Sequence, residues 1–190
     1  MTRTFLALLL LGFTLTTTSL YAAHDSVKTV VMPIEPANKS LSEGVKVIQD
    51  IIIDYFKDNH SVTVLSEEQK EALTGEKSGS RQDIIRTVTE KMDGKQALVI
   101  SLTRYRERVG DEYSVEDPAS LAFEFKLINI ENGKTICSGR YDETQEPLSE
   151  NVLNLGQAIK RGFKWVSVRK MATEAVREKL SACPALKEAP

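Results

Sequence analysis

The stretch "SLAFEFKLINIENGKTICSGRY", residues 120–141, decides the fold because it predicts two neighbouring strands joined by a tight turn. Residues 120–130 form one β-rich run, and residues 134–141 form the next. Asn132-Gly133 lies between them and is a strong signal for a type I′ turn, since both residues tolerate a positive φ. The second strand therefore returns antiparallel beside the first.

A two-residue turn sets the register of this hairpin by placing Glu131 opposite Lys134. Cys137 then lies opposite Ile128, on the face away from the phenylalanines of the preceding strand. In an oxidising compartment Cys137 and Cys183 can form a disulfide, and the alternative is a buried strand thiol with an unrelated thiol near the tail. The predicted register argues against the disulfide unless the segment around Cys183 covers that second face.

Strands and helices alternate on the amino-terminal side of the hairpin. The predicted elements are a strand at 27–34, a helix that starts with a capping box of Ser40 and Glu43, a strand at 60–65, a short helix and loop within 66–80, a helix capped by Ser80 and ended by Gly94, and a strand at 96–108. Beyond the hairpin, we expect a short helix at 148–159 and a last helix that Ser167 caps and Pro184 ends.

The resulting order, βαβαβββα, predicts a single α/β (α+β) domain. Its two early crossovers require parallel pairing, whereas the Asn132-Gly133 hairpin requires antiparallel pairing. We therefore expect a mixed, roughly five-stranded sheet packed by helices.

The chain begins with "MTRTFLALLLLGFTLTTTSLYAA", which has the order of a secretory signal: one basic residue, an apolar run and then small residues. The apolar run is shorter than the roughly 20 residues that span a bilayer. The predicted divisions are a signal peptide at 1–23, cleaved after Ala22 or Ala23, a domain at 24–183 and a frayed tail at 184–190. No cysteine lies near the cleavage region, so we expect a periplasmic protein with no lipid anchor and no transmembrane segment after cleavage.

Composition and motifs argue against several classes of function. A formal net charge of −2 over 190 residues gives no general attraction to nucleic acid or anionic lipid. His24 and His60 accompany no nucleophile motif, and the chain carries no phosphate loop, dinucleotide fingerprint or Cys-x-x-Cys pair. We therefore predict no catalytic residue, no metal site, no cofactor and no nucleic-acid partner.

The acidic stretch "GRYDETQEPLSENV", residues 139–152, has two interpretations. Its carboxylates, Asp142, Glu143, Glu146 and Glu150, fit a solvated loop that leads into a helix, where negative charge is favourable. A hydrolase of a cell-wall polymer would instead need one acid whose pKa is raised by burial and a second carboxylate across a cleft. The loop is favoured, since adjacent Asp142 and Glu143 point to opposite faces of a strand.

The run "RYRER", residues 104–108, is a first candidate interface. In a strand, Arg104, Arg106 and Arg108 share one face and could bind carboxylates or phosphates through bidentate hydrogen bonds. The alternative is that they pair with acids of neighbouring strands, such as Glu124, or lie on a solvated face.

The run "KRGFKWVSV", residues 160–168, is a second candidate interface. Arg161, Phe163 and Trp165 combine aromatic and basic side chains, a composition typical of interface anchors. The same residues could instead hold the last helix on the sheet, and we expect Trp165 to pack under that helix.

Several segments together resemble a group of exported proteins and lipoproteins of deltaproteobacterial type. The resemblance covers most of the chain from Val30 to about Leu180 and rests on matching strand, hairpin and step motifs. The matching residues are Pro118, Ala119 and Ser120; Asn132 and Gly133; "GRYDETQ" from Gly139 to Gln145; and Arg161, Gly162 and Trp165 in "RGFKW". The group implies export but no activity.

More remotely, the element order resembles the envelope-domain superfamily of the TolB amino-terminal domain, the curli secretion channel subunit and the lipoprotein activators of penicillin-binding proteins. The 107–118 connection is too short for the paired membrane strands, each about 9–11 residues, of a channel subunit. The resemblance implies a non-enzymatic periplasmic interaction or assembly module with envelope proteins as partners. The alternatives are a cell-wall polymer hydrolase that uses the carboxylates of 142–150, or a small-ligand binding domain.

Overall fold

The computed structural model describes residues 27–75, 79–111, 115–145 and 165–187. The strands are β1 Thr29–Val31, β2 Glu35–Pro36, β3 Val62–Val64, β4 Gln96–Arg106, β5 Val109–Gly110, β6 Val115–Asp117, β7 Ser120–Asn129 and β8 Thr135–Thr144. The helices are α1 Ser42–Phe56, α2 Glu67–Thr74, α3 Arg81–Lys91 and α4 Val168–Ser181, with 3-10 turns at Lys39–Leu41 and Pro184–Leu186. None of the helices in these ranges is long and apolar enough to cross a membrane.

One mixed sheet organises the domain, with the strand order β3-β1-β4-β7-β8 and with β2 also pairing with β4. β1 pairs parallel with β3 and β4, as the predicted β-α-β crossovers require. β7 pairs antiparallel with both β4 and β8. The predicted fold class, an α/β domain with a mixed sheet packed by helices, is confirmed.

The two faces of the sheet are covered unequally. On the first face, α1 and α4 bury the larger cluster, which includes Ile48, Phe123 and Met171. On the second face, α3 buries a smaller cluster around Val30 and Ile85, beside β1 and the start of β4. Most of the second face of β7 and β8 lies beyond that cluster, where charged side chains replace apolar ones. In the described ranges no helix covers this part of the second face, and its charged side chains, such as Lys126 and Arg140, are exposed.

Helix caps explain where the helices begin. Ser80 caps α3 as predicted, with its hydroxyl accepting from the N–H of Asp83 at 3.2 Å. The predicted cap of α1 is wrong: Asn38 accepts from the N–H of Ser40 at 3.1 Å and starts a 3-10 turn that leads into the helix. Leu41 lies at the end of this turn and is buried, so core packing favours the earlier start.

The register of the β7–β8 hairpin differs from the prediction by one residue, and Cys137 lies opposite Leu127. The turn is longer than two residues, because the N–H of Asn129 donates to the carbonyl of Lys134 at 2.9 Å. Ile130 leaves the strand and is buried in the second-face cluster. Next to the turn, Thr135 lies opposite Ile128, and the register then shifts between Ile128 and Leu127. The side chains of β8 from Cys137 onward therefore lie on the face opposite to the predicted one. Cys137 thus lies on the first face, where the prediction had placed it on the second.

The shifted register also accounts for Gly139 within the strand. Gly139 lies opposite Phe125, and a Cβ at position 139 would come within 2.5 Å of that ring. Two residues later, the Tyr141 ring stacks on Phe123 with a centroid distance of 5.8 Å. Aromatic packing across the two strands thus favours the observed register.

A β-bulge in β4 determines which side chains reach each face. The register shifts between Leu102 and Arg104, so Thr103 is the extra residue. Before the bulge, even-numbered residues such as Leu102 point into the first-face core. After it, Tyr105 takes that face and Arg104 moves to the second face. The bulge therefore keeps arginines out of the core.

The carboxyl-terminal segment is ordered further than predicted. Pro184–Leu186 forms a 3-10 turn, and Leu186 is buried in the first-face cluster, so the prediction of a frayed tail from residue 184 is wrong up to Leu186. Just before this turn, Cys183 forms a disulfide with Cys137 across a Cα–Cα distance of 6.0 Å and a sequence separation of 46. The bond joins the end of α4 to β8.

Replacing both cysteines with alanine, Cys137→Ala and Cys183→Ala together, should lower the free energy of unfolding by about 2–4 kcal/mol, because the cross-link restricts the unfolded chain. Urea unfolding of the oxidised protein and of the variant measures the difference. The wild-type protein under reducing conditions is the control and should unfold close to the variant. Alkylation of two thiols in the unfolded, unreduced protein would contradict the bond.

Candidate interaction surface

β8 is one edge of the sheet and is far longer than the other edge, with 10 residues against the 3 of β3. The N–H of Gln145, just after β8, donates to the carbonyl of Ala119 at 3.0 Å. Because hydrogen-bonding direction alternates along an antiparallel strand, the backbones of Tyr141 and Gly139 also point to β7. Those of Asp142 and Arg140 point away from the sheet, where the described part of the chain supplies no pairing strand.

Four charged side chains form a ladder across β4, β7 and β8 on the second face. We name Arg104, Glu124, Arg140 and Asp142 the charged ladder. Asp142 accepts from the guanidinium of Arg104 at 2.5 Å and from that of Arg140 at 2.6 Å. Arg140 also lies 3.4 Å from the carboxylate of Glu124. Ala122 lies between Arg104 and Asp142 in the register and is buried beneath them.

The charged ladder fixes the ionisation of Asp142. Its hydrogen bonds with Arg140 and Arg104 lower the pKa of the Asp142 carboxyl below the ordinary value for aspartate. Asp142 also raises the pKa of Arg140, chiefly through the same hydrogen bond. A carboxyl that stays ionised and half exposed cannot act as the buried general acid that a two-carboxylate hydrolase requires. Glu146 and Glu150 lie outside the described residues.

The predicted arginine row divides into three environments. Arg104 belongs to the charged ladder, and Arg106 is exposed on the same face of β4. β4 ends at Arg106, so the strand predicted to reach 108 is too long and Arg108 does not continue the row. Arg108 instead donates to the carbonyl of Trp165 at 2.9 Å. The next residue back, Glu107, accepts a hydrogen bond at 3.1 Å from the N–H of Val168, the first residue of α4.

Gln145 holds the segment before α4 against the end of β8. Its side-chain oxygen accepts from the N–H of Val166, and its side-chain nitrogen donates to the carbonyl of Val166, both at 3.2 Å. Gln145 is 7% exposed, so these bonds are shielded from water. The sequence alone did not identify this residue as important. Its signals are its place at the end of "GRYDETQ" and its position directly after a strand, beside apolar segments.

Val166, rather than Trp165, packs beneath α4. Val166 is buried in the first-face cluster together with Met171. Trp165 is only partly buried and is not among the described residues that pack on either cluster. The packing predicted for Trp165 is therefore wrong, because Gln145 pins the adjacent residue into the core. Arg161 and Phe163 lie outside the described residues, so their role as interface residues stays a prediction.

Two open clefts bear on ligand binding. The larger, of about 330 Å³, lies between α3 and the β7–β8 turn, where Asp83, Arg86 and Glu131 alternate with isoleucines. The smaller, of about 140 Å³, lies between α1 and α4 beside Asp54 and Arg177. Binding sites for small molecules are mostly apolar with few polar groups. Neither cleft in the described part of the chain has that character.

Replacing Gln145 with methionine should lower the free energy of unfolding by about 1–3 kcal/mol, because the N–H and carbonyl of Val166 stay buried without partners. Methionine has a similar volume, so the change isolates the hydrogen bonds from packing. Urea unfolding measures it. Lys126→Met, at an exposed position of β7, is the control and should stay within about 0.5 kcal/mol. Equal stability of the two variants would show that Gln145 holds nothing in place.

Acid should remove the contribution of Asp142 to stability. Because the pKa of Asp142 is lower in the folded protein, this contribution is complete above the ordinary pKa of aspartate. It is lost as the pH falls through the lowered folded value. Thermal melts of wild type and Asp142→Asn should therefore differ near neutral pH and converge below about pH 4. A difference that does not change with pH would contradict the ladder.

Comparison with solved structures finds similar chains at low sequence identity. PelC from Paraburkholderia phytofirmans, solved as a dodecamer, is similar with a TM-score of 0.53 and 13% identity, over 86% of this chain and 89% of that chain. The LpoB C-terminal domain from Salmonella enterica has a TM-score of 0.42 and 12% identity, over 63% of this chain and 84% of that chain. Lipoprotein GNA1162 from Neisseria meningitidis has a TM-score of 0.41 and 15% identity, over 71% and 96%.

The chain matches no protein-family model and no curated protein. The resemblance to a deltaproteobacterial group of exported proteins therefore stays a prediction. At these identities, structural similarity is evidence of fold and not of activity. The chain has a fold that is also found in PelC.

Proposed function

We propose that this chain is a non-enzymatic interaction and assembly module of the bacterial cell envelope, acting in the periplasm after export. The observation that carries the proposal is the edge strand β8, which in the described part of the chain pairs on one side only. Partner segments add to such an edge through main-chain hydrogen bonds. The partner is another envelope protein or a further copy of this chain.

The edge is held in a binding-ready shape from both faces of the sheet. On the first face, the disulfide ties Cys137 to Cys183 at the end of α4. On the second face, the charged ladder joins Asp142 of β8 to Arg104 of β4, two strands away. A strand that is ordered before binding loses little conformational freedom when a partner docks. These contacts support a role in binding beyond a role in stability alone.

The similarity to PelC adds a fold-level reason to include self-assembly. PelC was solved as a dodecamer, so at least one protein with this fold associates with copies of itself. The hydrolase has less support, because Asp142 is engaged by two arginines and its pKa is lowered rather than raised. The small-ligand alternative has less support, because the clefts described above are open and neither is mostly apolar.

Capture from the native envelope tests the proposal with a variant that blocks the edge. The N–H of Ser138 points away from β7 by the same alternation, so Ser138→Pro removes an outward donor without breaking an internal hydrogen bond. Ser138→Ala is the matched control, because it shortens the side chain and leaves the edge intact. Chemical cross-linking with mass spectrometry should place the partner on β8 for wild type and for Ser138→Ala.

Ser138→Pro should fold normally and lose that cross-link, with capture reduced about tenfold or more. The intact mass of the same preparation checks export, with a mature start at Ala23 or His24 as the expected result. Equal cross-linking by Ser138→Pro would show that the edge is not the contact. Release of soluble fragments from purified cell wall would support the hydrolase instead.

A further inference from the structure

We infer that β8 pairs with β8 of a second copy in an antiparallel arrangement centred on Tyr141. This inference rests on the proposed function, because it uses the same edge, and it commits to one occupant. The pairing would join the sheets of the two copies into one continuous sheet across a two-fold axis. Such an interface is self-complementary, as closed dimers require.

The backbone restricts the registers that such a pair can adopt. Only residues whose N–H and carbonyl point away from β7 can hydrogen-bond to a new strand. Between Ser138 and Thr144 these are the even-numbered residues, since the N–H of Gln145 donates inward to Ala119. In an antiparallel pair, an outward residue must therefore lie opposite another outward residue, so allowed registers differ in steps of two residues.

Charge selects one of the allowed registers. With Tyr141 on the axis, Arg140 of each copy lies opposite Asp142 of the other, and Ser138 lies opposite Thr144. Opposite charges directly across a pair of strands are favourable, and paired hydroxyl groups can share a hydrogen bond. The two-fold axis makes this contact occur twice. Because Arg140 and Asp142 lie on the same open face, the contacts join the charged ladders of the two copies.

The two neighbouring registers are disfavoured by the same residues. With Arg140 on the axis, two arginines lie directly opposite each other. With Asp142 on the axis, two aspartates do. Like charges directly across strands are destabilising. The sequence of alternating charge on the open face of β8 therefore favours a pair centred on Tyr141 over either neighbour.

The orientation of β8 side chains leaves room for this contact. Ser138 and Arg140 are exposed, and Asp142 remains half exposed although two arginines contact it. Tyr141 points the other way and is buried against Phe123. Pairing would therefore add hydrogen bonds and charge contacts at the edge without removing any residue from the core.

A charge-swap experiment tests the register directly. Arg140→Asp places two acids at the contact, and Asp142→Arg places two arginines there. Each variant alone should self-associate on the order of 100-fold more weakly than wild type, because like charges meet at both symmetric contacts. A 1:1 mixture should recover the dimer, since the acids of one chain then face the arginines of the other. Sedimentation velocity over a range of concentrations measures this.

Hydrogen exchange on the wild-type protein gives a readout that does not depend on the folding of a variant. The outward N–H groups of Arg140 and Asp142 should exchange more slowly as the protein concentration rises through the dimerisation range. Inward N–H groups, such as that of Tyr141, should be slow at every concentration. Exchange of the outward groups that is independent of concentration would overturn the inference.

The outcomes separate this inference from the proposed function. Wild type that stays monomeric at all concentrations overturns the β8–β8 pair, while capture that depends on Ser138 would still support an envelope partner at the edge. A dimer that both swap variants retain would also overturn the pair, because the interface would then lie elsewhere. A dimer lost in each variant and recovered in their mixture supports the pair centred on Tyr141.

Discussion

The register between β7 and β8 is the constraint on which the rest of the structure depends. With Cys137 opposite Leu127, the cysteine faces α4 and reaches Cys183. In the same register, Tyr141 points to the first face and stacks on Phe123, and Arg140 points to the solvent-facing side. A shift by one residue would invert every one of these placements at once. The disulfide, the aromatic packing and the charged ladder are thus consequences of one pairing.

The sequence predicts the elements and their order well because hydrophobic period and capping are local properties. The alternation of strands and helices, the Ser80 cap and the mixed pairing follow from such signals. The register depends instead on the irregularity between Leu127 and Ile128, which decides the face that each β8 side chain takes from Cys137 onward. Packing between strands favours that arrangement, which is a tertiary effect. One signal was present: Tyr141 is a large aromatic residue in β8, and placing it beside Phe123 requires the observed parity.

The candidate surface was predicted in part. Arg104 was a candidate from its residue type, but its partner Asp142 lies two strands away, and only the sheet brings them together. The bulge at Thr103 could be anticipated, because the apolar positions of β4 change from even to odd between Leu102 and Tyr105. Trp165 misled the prediction because aromatic residues usually occupy cores. Here Gln145 hydrogen-bonds the backbone of Val166, and Val166 is buried in the core.

An open edge strand can pair with a specific partner and can also pair non-specifically, and the side chains of β8 bear on both. Long exposed edges promote non-specific pairing, which charged side chains oppose. On the open face of β8, Arg140 and Asp142 have opposite signs, so they disfavour registers that place like charges opposite each other and favour those that bring opposite charges together. Arg140 and Asp142 also neutralise each other within the chain, which lowers the cost of bringing a second charged strand nearby. The same two residues can therefore protect the edge against arbitrary partners and define a specific one.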